Sequence, residues 1–120
     1  MLDKPVIYIQ VHAGYLAARR MGGPTIRREC EALSRPRTLM GNFTGIEACF
    51  VTALEGLRIG GVFTLSPVVL VHLVPEAAGG DTDVEERAFQ EAAATAGARR
   101  CKVVTGGQPL TEYQVAEACR

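Results

Sequence analysis

Gly79–Val104 has the sequence GGDTDVEERAFQEAAATAGARRCKVV, and this stretch decides the fold because it predicts a capped helix followed by a strand. Thr82 and Asp83 supply side-chain oxygens for the unpaired N–H groups of a first helical turn. Gly97 suits a left-handed C-cap, and Cys101–Thr105 then has the composition of a strand. Apolar side chains recur between cap and glycine at helical spacing, namely Val84, Ala88, Phe89, Ala92, Ala93 and Ala96.

Two further helices and a buried strand are predicted. Thr44 and Glu47 form the Thr-x-x-Glu pattern of a capping box, and Thr111 with Gln114 predicts another that opens a short C-terminal helix. Pro67–Val74 is apolar and rich in β-branched residues, so we expect a strand covered on both faces at the centre of the sheet. The helix after Thr44 has one apolar face, formed by Ile46, Cys49, Phe50, Ala53, Leu54 and Leu57.

The N-terminal segment predicts three short strands, over Pro5–Val11, Tyr15–Arg20 and Thr25–Cys30. Gly14 permits a tight return between the first two, and the arginines of the third favour a sheet edge. The element order predicts an α/β fold: a single domain over residues 1–120 with a mixed sheet. We expect a three-stranded antiparallel meander plus parallel strands and packed helices, as in ribonuclease H-like folds.

Composition favours a soluble cytoplasmic protein. The formal net charge is +0, from 13 basic and 13 acidic side chains, so no bulk charge favours binding to nucleic acid or to an anionic membrane. The longest apolar run, Val68–Val74, is too short for a transmembrane segment. The four cysteines have no close spacing, which favours free thiols in a reducing compartment over a zinc site or a dense disulfide framework. They are Cys30, Cys49, Cys101 and Cys119.

The order Glu-x-Arg-Ala-x-x-Glu-Ala-Ala-x-x-Ala-Gly-Ala-Arg over Glu85–Arg99 resembles MreB, the bacterial actin-like family of rod cell shape. Asn42–Glu47 resembles the family's Asp-Phe-x-x-x-Glu segment, with an amide in place of the Asp. Val68–Pro75 resembles the strand that ends in Val-Pro. Thr105–Leu110 lies where the family has Ile-Glu-Glu-Pro-Met, with both acids absent. The resemblance implies an actin-like fold, limited to a partial domain I.

The departures from this family concern the nucleotide site. The resemblance places Gln10 where the phosphate loop has a metal-facing Asp, and His12 where it has a Gly that permits close phosphate approach. The acid that would orient the attacking water falls at Gln108, and the chain ends at Arg120 before a second phosphate loop. The degenerate phosphate-loop positions are Gln10, His12, Ala13, Gly14 and Gln108. We therefore expect no catalytic residue, no cofactor and no metal.

Three functions stay open. The first is a non-catalytic actin-like module that acts by protein–protein interaction or self-association in bacterial cell shape or the cytoskeleton. A small hydrolase or nuclease on a ribonuclease H-like fold is the alternative, although Val6–Val11 and Val68–Val74 contain no acid for a two-metal site. The third is a self-associating structural protein. The candidate interface is the third strand, through Thr25, Arg27, Arg28 and Cys30.

The histidines are predicted to be structural. His12 and His72 both lie in apolar strand segments, where a hydrogen-bonded histidine is commoner than a catalytic one. A Cys101–His72 pair on neighbouring parallel strands is the minor alternative.

Overall fold

The computed structural model describes residues 6–33, 43–57, 67–74, 83–106 and 108–119, which form an α/β domain. Its strands are β1 (Val6–His12), β2 (Tyr15–Arg20), β3 (Thr25–Glu29), β4 (Val68–Leu73) and β5 (Arg100–Thr105). Its α-helices are α1 (Phe43–Gly56), α2 (Asp83–Thr95) and α3 (Glu112–Ala118), and a 3-10 turn covers Glu31–Leu33. Within the described ranges, no helix is long and apolar enough to cross a membrane.

The five strands form one mixed sheet in the order β3-β2-β1-β4-β5. β1, β2 and β3 pair antiparallel, whereas β1 with β4 and β4 with β5 pair parallel. The predicted meander, the parallel pairing and the edge position of β3 are confirmed. The predicted central place of Pro67–Val74 is wrong, because β1 is the middle strand. β4 is nevertheless buried along its whole length between β1 and β5, as its apolar sequence requires.

Helices α1 and α2 pack together on one face of the sheet. Alternate residues of β1 and β4 point into this layer and meet Phe50, Leu54 and Phe89 from the helices. The strand residues in this core include Ile7, Ile9, Val11, Leu16, Val69 and Val71. On the opposite face, α3 places Val115 against Tyr8 and Leu70. The described residues of the apolar faces predicted for α1 and α2 are therefore buried or half-buried, whereas the predicted Val84 side chain lies outside the description.

The predicted C-terminal end of α2 and the predicted start of α3 are confirmed, whereas the predicted cap residue Thr82 of α2 lies outside the described residues. Gly97 has a φ of 110°, and the N–H of Ala98 donates to the Ala93 carbonyl at 3.0 Å, as in a Schellman motif. At the start of α3, Thr111 and Gln114 form both hydrogen bonds of a capping box.

The predicted capping box at Thr44 is wrong. Helix α1 already begins at Phe43, so Thr44 lies inside the first turn. The Glu47 carboxylate accepts a hydrogen bond at 2.8 Å from Thr95 Oγ1 on α2. Glu47 therefore bonds to a neighbouring helix, whereas its spacing from Thr44 predicted that it would cap its own helix.

The expectation of free thiols is wrong for two of the four cysteines. Cys30 and Cys49 form a disulfide, with their Cα atoms 6.0 Å apart, and it joins the end of β3 to α1. The two cysteines lie 19 positions apart in the sequence, so only the packing of α1 over the sheet brings the sulfurs together. Cys101 and Cys119 are free thiols, and burial raises the pKa of Cys101 to about 12.

Candidate functional site

The carboxyl ends of the parallel strands β1 and β4 lie side by side, where α/β proteins commonly bind ligands. Gln10 of β1 lies opposite His72 of β4 in the sheet register. His12 follows at the end of β1, and Gly14 then turns the chain into β2 with a φ of 83°. The structure thus brings together Gln10, His12 and Gly14, whereas Gln108 is exposed between β5 and α3.

His72 is buried and uses both ring nitrogens in hydrogen bonds. Its Nε2 lies 2.6 Å from the Gly106 carbonyl oxygen, which can only accept, so Nε2 carries a proton and donates. Its Nδ1 lies 2.6 Å from Tyr8 Oη and accepts the hydroxyl proton. The Tyr8 oxygen also accepts from the N–H of Leu110 at 2.9 Å. Burial and two hydrogen bonds are typical of a structural histidine, and this network fixes the segment after β5 to the sheet.

His12 belongs to a second, half-buried group that crosses β1, β2 and β3. Its Nε2 lies 2.9 Å from Gln10 Oε1, and its ring stacks on Tyr15 with centroids 4.6 Å apart. Arg27 lies over the Tyr15 ring at 3.8 Å and donates from Nε to Glu29 at 3.0 Å. Burial lowers the pKa of His12, and the neighbouring His72 and Arg27 lower it further. The ring is therefore favoured in its neutral form.

The side chains at this end of the sheet donate and accept hydrogen bonds within the domain. The amide of Gln10 and the imidazoles of His12 and His72 bond to groups of the domain itself. Within the described ranges, no group of three or more His, Cys, Asp or Glu side chains is placed to hold a metal ion. Cys101 lies opposite Val69 and packs on the α1–α2 side, so the strands do not bring it to His72.

The residues predicted to form the interface are divided between the two faces of β3. Arg27 lies on the α3 side of the sheet with Tyr15, whereas Arg28 reaches the end of α1 on the other side. Thr25 is exposed. Cys30 is only 1% exposed and is held in the disulfide, so its side chain adds nothing to the surface.

The Arg28 side chain folds over the sheet edge. Its Nη1 donates to the Arg27 carbonyl oxygen at 3.1 Å. Its Nη2 lies so close to Gly56 that a Cβ added there would approach it to 2.6 Å. The guanidinium thus lies between the last residue of α1 and the outer backbone of β3. A cation is favoured at this position, because carbonyl groups at a helix C-terminus carry partial negative charge.

Three residues that shape these sites were not found from sequence. Tyr8 and Tyr15 could have been found, because the alternation of side chains along a strand puts Tyr8 on the face of Gln10 and His12. Tyr15 lies directly opposite His12 across the hairpin. Gly56 had no local signal, since its importance arises only where α1 crosses Arg28.

No family model matches this chain, and no curated protein sequence matches it. The resemblance to the actin-like family therefore depends on the sequence segments that carry it, which are Asn42–Glu47, Val68–Pro75, Glu85–Arg99 and Thr105–Leu110.

Proposed function

We propose that this chain is a non-catalytic, actin-like module on a ribonuclease H-like sheet, and that it acts by binding a protein or by self-association. A role in bacterial cell shape or the cytoskeleton follows from the resemblance to the MreB family. The strand order β3-β2-β1-β4-β5 supports the fold assignment, since it joins an antiparallel meander to parallel strands as expected for that fold.

One observation carries the non-catalytic part of this proposal. The carboxyl ends of β1 and β4 present Gln10, His12 and His72. Gln10 Oε1 bonds to His12 Nε2, and both ring nitrogens of His72 bond within the domain. A phosphate loop needs backbone N–H groups that anion oxygens can approach, together with an acid for Mg²⁺. Here an imidazole ring stacked on Tyr15 fills the position of the expected glycine.

Calorimetric titration with Mg²⁺–ATP tests this part directly. We expect no heat of binding at protein concentrations that would detect micromolar affinity, and no phosphate release above that of buffer. The matched variant is Gln10→Asp, which restores the acid of the family and leaves the His12 ring in place. Tight binding or steady hydrolysis by the unmodified chain would overturn the proposal.

The binding part is supported by an open half of the sheet. On β3, no side chain is buried, and its residues alternate between exposed and half-buried. A sheet edge with unpaired backbone groups can accept another strand. Sedimentation velocity over a wide range of concentrations would measure self-association, and the variant Thr25→Pro would test whether β3 mediates it. Proline at position 25 removes an edge N–H group without changing the net charge.

A further inference from the structure

The β3 edge presents a defined set of backbone groups. In an antiparallel pair, residues alternate between those that bond the neighbouring strand and those that do not. The Cys30 N–H donates to the Gly14 carbonyl of the β2 side at 2.8 Å, so Arg28 and Ile26 share that inward set. The N–H and C=O groups of Thr25, Arg27 and Glu29 consequently point away from β2.

The Arg28 side chain occupies the central hydrogen-bonding position of this edge. The Arg27 carbonyl is the central outward acceptor of β3, and the Arg28 guanidinium already donates to it. An added strand must therefore displace that guanidinium before its own N–H can bond there. A carboxylate on the added strand would favour the displacement, because a charge-assisted hydrogen bond is about twice as strong as a neutral one.

The charge pattern of β3 disfavours a second copy of this chain as the added strand. An antiparallel copy paired over all five strand residues would place Arg27 opposite the same residue of the other copy. A shift of two residues keeps the outward groups paired and, in one direction, places Arg28 opposite its own counterpart. Like charges directly opposite each other in a sheet are destabilising.

We infer that the β3 edge binds an extended segment of a partner protein that carries two consecutive acidic residues; this inference rests on the proposed function. Neighbouring side chains of a strand point to opposite faces. Arg27 and Arg28 do so on β3, with Arg27 on the α3 side and Arg28 on the α1 side. Two adjacent carboxylates on the added strand would therefore face one arginine each.

Gly56 leaves room for the Arg28 guanidinium to reach the Arg27 carbonyl. It ends α1 beside Arg28, and an alanine Cβ there would approach Nη2 to 2.6 Å and Ile26 Cδ1 to 3.0 Å. The guanidinium is the flexible group and would move. Gly56→Ala thus displaces Arg28 from the Arg27 carbonyl while retaining its charge, which separates the closing contact from the electrostatic attraction.

Fluorescence anisotropy with two labelled peptides, both blocked at their termini, tests the inference. The acidic probe is Thr-Val-Glu-Glu-Val-Thr, and the neutral probe has Gln-Gln at its centre. We expect the acidic peptide to bind about tenfold more tightly, as two surface charge pairs allow, and to weaken as salt is added. Gly56→Ala should tighten binding of both peptides several-fold. Thr25→Pro should abolish binding of both.

Substitutions of single arginines provide the controls. Arg28→Gln should weaken the acidic peptide and strengthen the neutral one, because charge and closing contact are lost together. Arg27→Gln should weaken only the acidic peptide. Arg87→Gln, on the exposed side of α2, removes the same charge at a distance from β3 and should change neither affinity. Thermal melts of each variant show whether it folds.

Several results would overturn the inference. Equal affinity for the two peptides, binding that survives Thr25→Pro, or no gain from Gly56→Ala would each contradict it. So would a failure of the folded protein to bind either peptide. Self-association that Thr25→Pro abolishes would assign the edge to a second copy instead, and the proposed function would stand. Binding or hydrolysis of Mg²⁺–ATP would overturn the non-catalytic part of the proposed function, and the peptide measurements would still decide the inference.

Discussion

The two halves of the sheet differ in what covers them. β4, in the parallel half, is buried at all six residues, whereas β3, in the antiparallel half, has no buried residue. Helices α1 and α2 cover one face throughout, but α3 reaches only Tyr8, Leu70 and their neighbours on the other. The comparison indicates that β4 lies in the buried part of the domain, whereas the side chains of β3 are exposed or half-buried.

The largest effect is expected where α1 meets the covered face. Phe50 is 0% exposed, with its ring 6.1 Å from that of Phe89 on α2. Phe50→Ala should lower the free energy of unfolding by about 3–5 kcal/mol, because it removes buried apolar surface and leaves a cavity. Urea melts would measure the change. Thr52→Ala, on the exposed side of the same helix, should cost far less. Equal losses would show that the two sides of α1 do not differ in burial.

The next effect concerns the disulfide that joins α1 to the open half. A loop of the length closed by Cys30 and Cys49 should contribute about 3 kcal/mol to stability, by constraining the unfolded chain. We expect Cys30→Ala with Cys49→Ala to lower the urea midpoint, and a thiol reductant to lower that of the unmodified protein by a similar amount. The reductant should leave the double variant unchanged. If it shifts the double variant too, the free thiols Cys101 and Cys119 contribute.

A smaller effect is expected from the Tyr8 hydroxyl in the covered half. Tyr8→Phe leaves His72 Nδ1 and the Leu110 N–H without their partner, which should cost about 1–3 kcal/mol. Hydrogen exchange near Gly106 should also increase, since His72 holds that carbonyl. Tyr113→Phe is the matched control, because the Tyr113 side chain is 74% exposed. If Tyr8→Phe changes neither the free energy of unfolding nor the hydrogen exchange near Gly106, water replaces the hydroxyl at no cost in stability.

Local patterns were sufficient to predict most elements of the fold. β2 spans the predicted Tyr15–Arg20, and α3 begins after the predicted Thr111 cap, because alternation and capping depend on neighbours in the sequence. Long-range packing decided the rest. Glu47 bonds to Thr95 on α2 instead of capping its own helix. The position of β1 at the sheet centre likewise depends on which strands pair.

The candidate sites were predicted less well than the fold. The family resemblance pointed to Gln10 and His12 as candidate positions, but the stacking of Tyr15 and Arg27 depends on the register of three strands. The disulfide and the Arg28–Gly56 contact both depend on how α1 crosses β3. No spacing in the sequence encodes that crossing. The chemistry of the edge therefore became visible only in three dimensions.

The smallest effect concerns the pH dependence of the open half. Burial lowers the pKa of His12 below its ordinary value of 6.5, with His72 and Arg27 adding to the shift. Between the folded and unfolded pKa values, the unfolded chain binds a proton that the folded chain does not. The free energy of unfolding should therefore fall as the pH drops through about 6.5, and this loss should end below the folded pKa.

His12→Gln should remove this component, so its urea midpoint should fall less than that of the unmodified protein between about pH 8 and pH 5.5. An NMR titration of the ring should give a midpoint below 6.5. A midpoint above 6.5 would mean that the charged ring is stabilised by an acidic group next to His12. That result would contradict the stacking of His12 on Tyr15 and of Arg27 over the Tyr15 ring.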